Sequence, residues 1–156
     1  MKKLKISVLL LMTSFMLSYC QNKKSYNEGM IVSFFNKVFN EENTNSKELY
    51  AKYLFEDKKA NKLRDTIQNM FEKHIAGLKV KKHHLLNANS KFVVQKYKDY
   101  DKDDLITFVS DNTGGKDIHV VTVNDKIEFY VLLEKDKIRS FEYVMKSNEG
   151  LFITYY

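Results

Sequence analysis

Apolar positions in the first half of the chain recur at steps of three and four residues. Met30, Ile31, Phe34, Phe35, Val38 and Phe39 fall on one side of a helix, with Ser33, Asn36, Lys37 and Asn40 on the other. The polar run at 41–45 ends that pattern. Asn45 or Ser46 is placed to cap a second, short helix, with Glu48 in its first turn and Leu49, Tyr50, Tyr53 and Leu54 on its buried side. A third helix is expected from a cap at Asp57 to an end at Gly77. Its stripe is Ala60, Leu63, Ile67, Met70 and Phe71, extended to His74 and Leu78.

Near residue 80 the period changes from that of a helix to two. Segments 84–86, 92–97, 105–109, 118–123, 127–133, 138–144 and 151–155 are rich in β-branched and aromatic residues and read as strands. The breaks at 124–126, 134–137 and 146–150 are short and polar, so the last four strands are expected to form a consecutive antiparallel meander. Helices grouped ahead of strands predict an α+β fold: N-terminal helices packed on a curved antiparallel sheet with a C-terminal strand meander. A sheet this aromatic needs cover on at least one face.

This order of elements resembles the nuclear transport factor 2-like superfamily over about residues 27–156, and cystatin-like folds share much of its geometry. The resemblance implies helices seated in the mouth of a strongly bent sheet. It also implies that enzymes of the family work in a cavity with a positioned Asp or His. No motif in this chain carries such a residue over.

The first twenty residues have a different character. Lys2, Lys3 and Lys5 precede an apolar run at 6–17 that only Ser7, Thr13 and Ser14 interrupt. That is the charged region and short apolar region of an export signal. The run is shorter than the roughly 20 residues a spanning helix needs. It ends at Leu17-Ser18-Tyr19-Cys20, which contains the single cysteine of the chain. Those four residues resemble the lipobox of bacterial lipoproteins, in the looser form of the Bacteroidetes lineage. Leu17, Ser18 and Cys20 match, whereas Tyr19 stands where a small residue is usual. The resemblance implies acylation of the Cys20 thiol and cleavage just before it. A signal peptide is thus expected at 1–19, a lipid-anchored tether at 20–26 and one α+β domain at 27–156. The protein would be exported and held in the cell envelope, periplasmic or surface-facing. A conventional signal peptide with an unmodified cysteine is the alternative. A lone cysteine forms no intramolecular disulfide.

Removal of 1–19 would leave 137 residues, enough for one domain with a core. It would also leave 23 basic against 20 acidic residues, a net charge of +3 in place of +6. That balance, with no basic stripe, argues against nucleic acid as a partner. The membrane, through lipid on Cys20, and a protein of the envelope are the partners expected.

Candidate chemistry is sparse. Asp99, Asp101 and Asp103 alternate as in a calcium loop, but Asp104 and Ser110 stand where the Gly and Glu of that loop belong. A turn with solvated carboxylates fits them. Read as part of a strand, His83 and His84 point to opposite faces and do not share a metal. Lys79, Lys81, Lys82, His83 and His84 form the densest basic cluster. It is a solvated junction or a contact for anionic headgroups or an acidic partner. The stretch at 112–116 lacks phosphate-loop spacing, and no serine-nucleophile motif occurs. No metal site and no cofactor are expected.

Three function classes remain. The first is a non-enzymatic binding or accessory domain using an aromatic surface or groove with Tyr97, Tyr100, Tyr130 or Tyr143. The second is a small-ligand carrier or sensor with a cavity between helices and sheet. The third, ranked well behind, is an enzyme with His119, Glu128 or Glu142 inside that cavity.

Overall fold

The computed structural model describes residues 26–57, 62–86, 90–100, 117–146 and 149–153. The leader with Cys20, Ala60, the expected strand at 105–109, and residues 101–104, 110 and 112–116 of the two loop motifs lie outside the described residues. Helix α1 covers 26–39 and buries Ile31, Phe34, Phe35, Val38 and Phe39 of the expected stripe, with Met30 half-buried at its edge. Helix α2 spans Ser46–Tyr53. Its N-cap is Asn45, whose side-chain oxygen accepts from the amides of Lys47 and Glu48 at 3.1 and 3.2 Å. That cap locks the turn between α1 and α2, so Leu49, Tyr50 and Tyr53 enter the same core as Phe34.

Helix α3, Arg64–Lys81, departs from expectation at both ends. It starts after an N-cap at Leu63 that makes no side-chain cap hydrogen bond, not at Asp57, and it runs through Gly77 to Lys81. The reason is packing: Ile67, Phe71, Ile75 and Leu78 keep helical spacing across the glycine and are all buried. Leu63 and Met70, expected in that stripe, are exposed, and Ile75 takes the buried place. A Cβ on Gly77 would meet nothing within 4 Å. Gly77→Ala is therefore expected to stabilise the fold by about 0.5–1 kcal/mol. The check is a higher urea midpoint at unchanged m-value.

After α3 the chain makes a 3-10 turn, His83–Leu85, where a strand was expected at 84–86. Leu85 anchors this turn in the core. Strands β1 (Phe92–Lys96), β2 (Asp117–Val123), β3 (Lys126–Glu134) and β4 (Lys137–Ser140) form one antiparallel sheet in sequential order. Tyr97, expected at the end of β1, begins a second 3-10 turn. The β2–β3 and β3–β4 turns each place two residues at positive φ: Asn124 and Asp125, then Lys135 and Asp136. That is the two-residue hairpin whose twist matches the strands it joins.

The segment expected as one strand at 138–144 is broken. Phe141 leaves the sheet for the helical core, where it packs on Phe34 at 5.2 Å and edge-on to Phe71 at 6.2 Å. Strand β5 (Tyr143–Lys146) then pairs with β6 (Glu149–Phe152) in a separate two-stranded sheet. The meander is thus β2-β3-β4, and the last two strands form their own hairpin. The expected strand at 151–155 starts two residues early, and its residues 154 and 155 lie outside the described residues.

The result is an α+β domain with three helices on one face of a four-stranded antiparallel sheet. Phe92, Val121, Phe129, Val131 and Leu133 face the helices. Ile118, Val120, Tyr130 and Leu132 alternate with them and point the other way, into a second cluster with Tyr100 and Phe152. With both faces covered, β2 and β3 are buried almost throughout and lose the strict polar alternation of a half-wet sheet. Two register shifts curve the sheet. Val121 and Thr122 oppose Phe129 and Ile127, which makes Glu128 the extra residue on β3. Leu132 and Leu133 oppose Ser140 and Ile138, which makes Arg139 the extra residue on β4.

Candidate functional site

The β3 bulge does more than bend the strand. An extra residue breaks the alternation of faces, so Glu128 and Phe129 both reach the helix side. The Glu128 side chain is only 2% exposed there. It accepts from Lys82 Nζ at 2.7 Å and lies 3.1 Å from His84 Nε2. Burial alone would raise its pKa. The hydrogen bonds from Lys82 and His84, and then their charges, outweigh burial and hold the carboxyl below the usual glutamate range. Lys82 also sits over the Phe129 ring, 5.4 Å from its centroid.

A second carboxylate works beside the first. Glu142 follows Phe141 at the break between β4 and β5, and its Oε2 lies 2.7 Å from His74 Nε2 on α3. Lys81 approaches its other oxygen at 3.4 Å. The His74 ring stands edge-on to Phe141 with centroids 5.4 Å apart. Burial pushes the His74 imidazole below its ordinary pKa; Glu142 opposes this and Lys81 adds to it. In either protonation state His74 can donate Nε2–H to the Glu142 carboxylate.

Together the pairs use the basic end of α3 as a latch. Lys81, Lys82, His74 and His84 hold two carboxylates that the sheet side presents. Of the basic cluster expected as a solvated junction, Lys81, Lys82 and His84 meet acids of this chain, while Lys81, His83 and His84 stay exposed. The 3-10 turn also changes the geometry of the adjacent histidines, whose rings sit 6.1 Å apart and nearly perpendicular. Among the described residues, no group of three or more His, Cys, Asp or Glu is placed to hold a metal ion.

The other candidates separate. His119 is fully buried on β2, on the helix-facing side with Val121, its Nδ1 3.9 Å from Asp117 Oδ1. Tyr130 and Tyr100 are buried, contrary to the aromatic surface expected. Tyr97 and Tyr143 pack against the same second cluster, with Tyr143 edge-on to Tyr130 at 6.2 Å and to Phe152 at 4.9 Å. These tyrosines seal the outer face of the sheet. The reason is the β5–β6 hairpin, which folds Tyr143 and Phe152 onto Tyr130 and removes the groove they were expected to line.

The space between helices and sheet is filled by rings. Phe35 stacks on Phe129 at 4.4 Å and on Phe92 at 5.5 Å, and meets Phe34 edge-on at 5.2 Å. Among the described residues, an external concavity forms as an open cleft of about 470 Å³ between the α1–α2 loop and α3. Ile75 and Ala76 supply its apolar lining, and Glu42, Asn43, Asn45, Ser46, Glu72 and Lys79 its polar lining. Lys79 Nζ donates to Thr44 Oγ1 at 2.8 Å, and Thr44 donates to the Lys37 carbonyl at 3.0 Å, so one chain of hydrogen bonds ties α3, the loop and α1 around the cleft. Both charge signs sit at its rim, which suits a polar segment or a small polar molecule. No family model, curated protein or solved structure matches this chain.

Two features escaped the sequence reading. The bulge had one trace, a glutamate in the middle of an apolar strand between Ile127 and Phe129. The cleft had none beyond the polar loop at 41–45, because its other wall comes from α3 about thirty residues later.

Proposed function

We propose that this chain is a bacterial lipoprotein, held in the cell envelope by acyl chains on Cys20, and that its domain is a non-enzymatic binding or accessory module. The leader and Leu17-Ser18-Tyr19-Cys20 support the anchor. One observation carries the binding reading: the interior is packed with aromatic rings, whereas the polar-rimmed concavity lies outside, on the helical face. That arrangement favours an external occupant over a carrier's internal ligand. It also leaves the two carboxylates considered for an enzyme, Glu128 and Glu142, engaged in the latch.

The test begins with Cys20→Ala. The parent chain is expected in the membrane fraction, released only by detergent, and the variant in the soluble fraction with an unchanged circular-dichroism spectrum. A variant that still pellets with membranes after a high-salt wash, which strips surface electrostatic contacts, overturns the anchor. For the cleft, Ala76→Arg fills the space from an exposed position without entering the core. It is expected to remove the cross-linked complexes that the parent chain forms in intact envelopes. Identical complexes for both chains would place the binding surface elsewhere.

A further inference from the structure

Leu63, Thr66, Met70, Lys73, Gly77 and Val80 follow one another at alternating steps of three and four residues, which places them on one face at and along α3. This face is turned away from the buried stripe, and all six are exposed. Three of them are large apolar side chains left in water: Leu63 is 59% exposed, Met70 60% and Val80 76%. Gly77 keeps the strip flat between Met70 and Val80. The charges are sorted as well. Lys73 lies within the strip, with Lys62 and Lys81 at its ends. The acids of the helix, Asp65 and Glu72, lie on another side, Glu72 at the cleft. Lys81 approaches Glu142 at 3.4 Å yet stays 69% exposed.

We propose that this outer face of α3 is a lipid-contacting strip that lays the domain on an anionic bilayer. An exposed helix face with a few apolar side chains, flanking lysines and no carboxylate matches an interfacial helix: the apolar groups enter the headgroup boundary while the lysines stay among the phosphates. The lysines select an anionic surface over a neutral one. The helix lies flat, because it is docked along its length through Ile67, Phe71, Ile75 and Leu78. Among the described residues, no helix is long and apolar enough to span a membrane. The inference rests on the membrane-anchored reading above for its setting.

The test uses the full chain, purified in detergent and reconstituted into vesicles of phosphatidylcholine with or without phosphatidylglycerol. A fluorophore is attached at Met70→Cys, Val80→Cys or, as a control on another side of the helix, Glu72→Cys. Lipids carrying a headgroup nitroxide serve as quencher. Quenching at 70 and 80 is expected to exceed that at 72 several-fold in the anionic vesicles, and Lys62→Glu with Lys73→Glu should erase the difference. Equal quenching at all three positions overturns the proposal. So does shielding of 70 and 80 from an aqueous quencher without quenching by lipid, which would mean that a second copy or another protein covers the strip. Acylation blocks Cys20 against the label. A chain that also takes up label at Cys20 counts against the anchor and leaves the quenching pattern to decide the strip.

Discussion

Phe35→Ala is expected to cost about 3–5 kcal/mol of folding stability, the range for truncation of a fully buried phenylalanine. Phe35 has no exposed surface and is stacked against Phe39, Phe92 and Phe129, with Phe34 edge-on. Its neighbours come from α1, β1 and β3, so no local movement closes the hole. Urea denaturation followed by circular dichroism reads the loss as a lower midpoint. Because the cost approaches the whole stability of many domains, Phe35→Leu is the companion variant, with a smaller loss in the same direction. A cost near 1 kcal/mol for the alanine variant would mean that the space around this ring is already partly empty. That result would reopen the carrier reading, which needs room between helices and sheet.

The second large effect concerns Glu128. Glu128→Ala leaves Lys82 and His84 without their acceptor and is expected to cost about 1–3 kcal/mol, the range for charged hydrogen bonds in a buried setting. Lys82 and His84 are partly exposed, so water takes over some of their solvation and the cost stays below that of stranding a buried charge. The loss should depend on pH. The Glu128 pKa is depressed in the fold, so its contribution is present above the ordinary value of 4.5 and disappears as pH falls through the folded value. His74 is depressed as well, from an ordinary value of 6.5, because burial disfavours its charged form. Its contribution too is present above the unfolded value and is lost as pH falls below it. Stability should therefore decline in two stages on acidification, first below about pH 6.5 and then below about pH 4.5. In Glu128→Ala the second stage should shrink while the first remains. Thermal unfolding from pH 7 to pH 3 checks this, and a second stage of full size in the variant would assign it to other carboxylates.

The fold class was legible in the sequence because periodicity reports burial. Helices α1 and α2 and the turn capped by Asn45 were readable residue by residue, since each stripe sits between clear polar breaks. Helix α3 was readable in type but not in extent. Gly77 looked like a terminus, yet Ile75 and Leu78 on either side of it are buried together, and tertiary packing outweighs one glycine. The break at Phe141 was hidden for a related reason. An apolar residue in a strand pattern does not show whether it continues the pleat or turns into the helical layer. The latch was the least legible. It joins the end of α3 and the residue after it to carboxylates 61 and 46 positions away, and the nearer of these sits on a bulge whose only local sign is an acid out of place. Burial of Tyr100 and Tyr130 is not legible in the sequence, because composition does not distinguish a sheet covered on both faces from a half-wet one.

The stacking of Phe35 on Phe129 also sets an order of events during synthesis. The two rings are separated by 94 positions in the chain, and the Asn27–Asp136 hydrogen bond at the start of α1 spans 109. The β2-β3-β4 meander, by contrast, is closed by two-residue turns and is assembled from near neighbours. A chain made from its N-terminus thus presents the aromatic stripe of α1 long before the surface that receives it exists. Tyr53 of α2 can cover Phe34 early, but until β3 is complete Phe35 and Phe39 lack Phe129, and that part of the stripe is an uncovered adhesive edge.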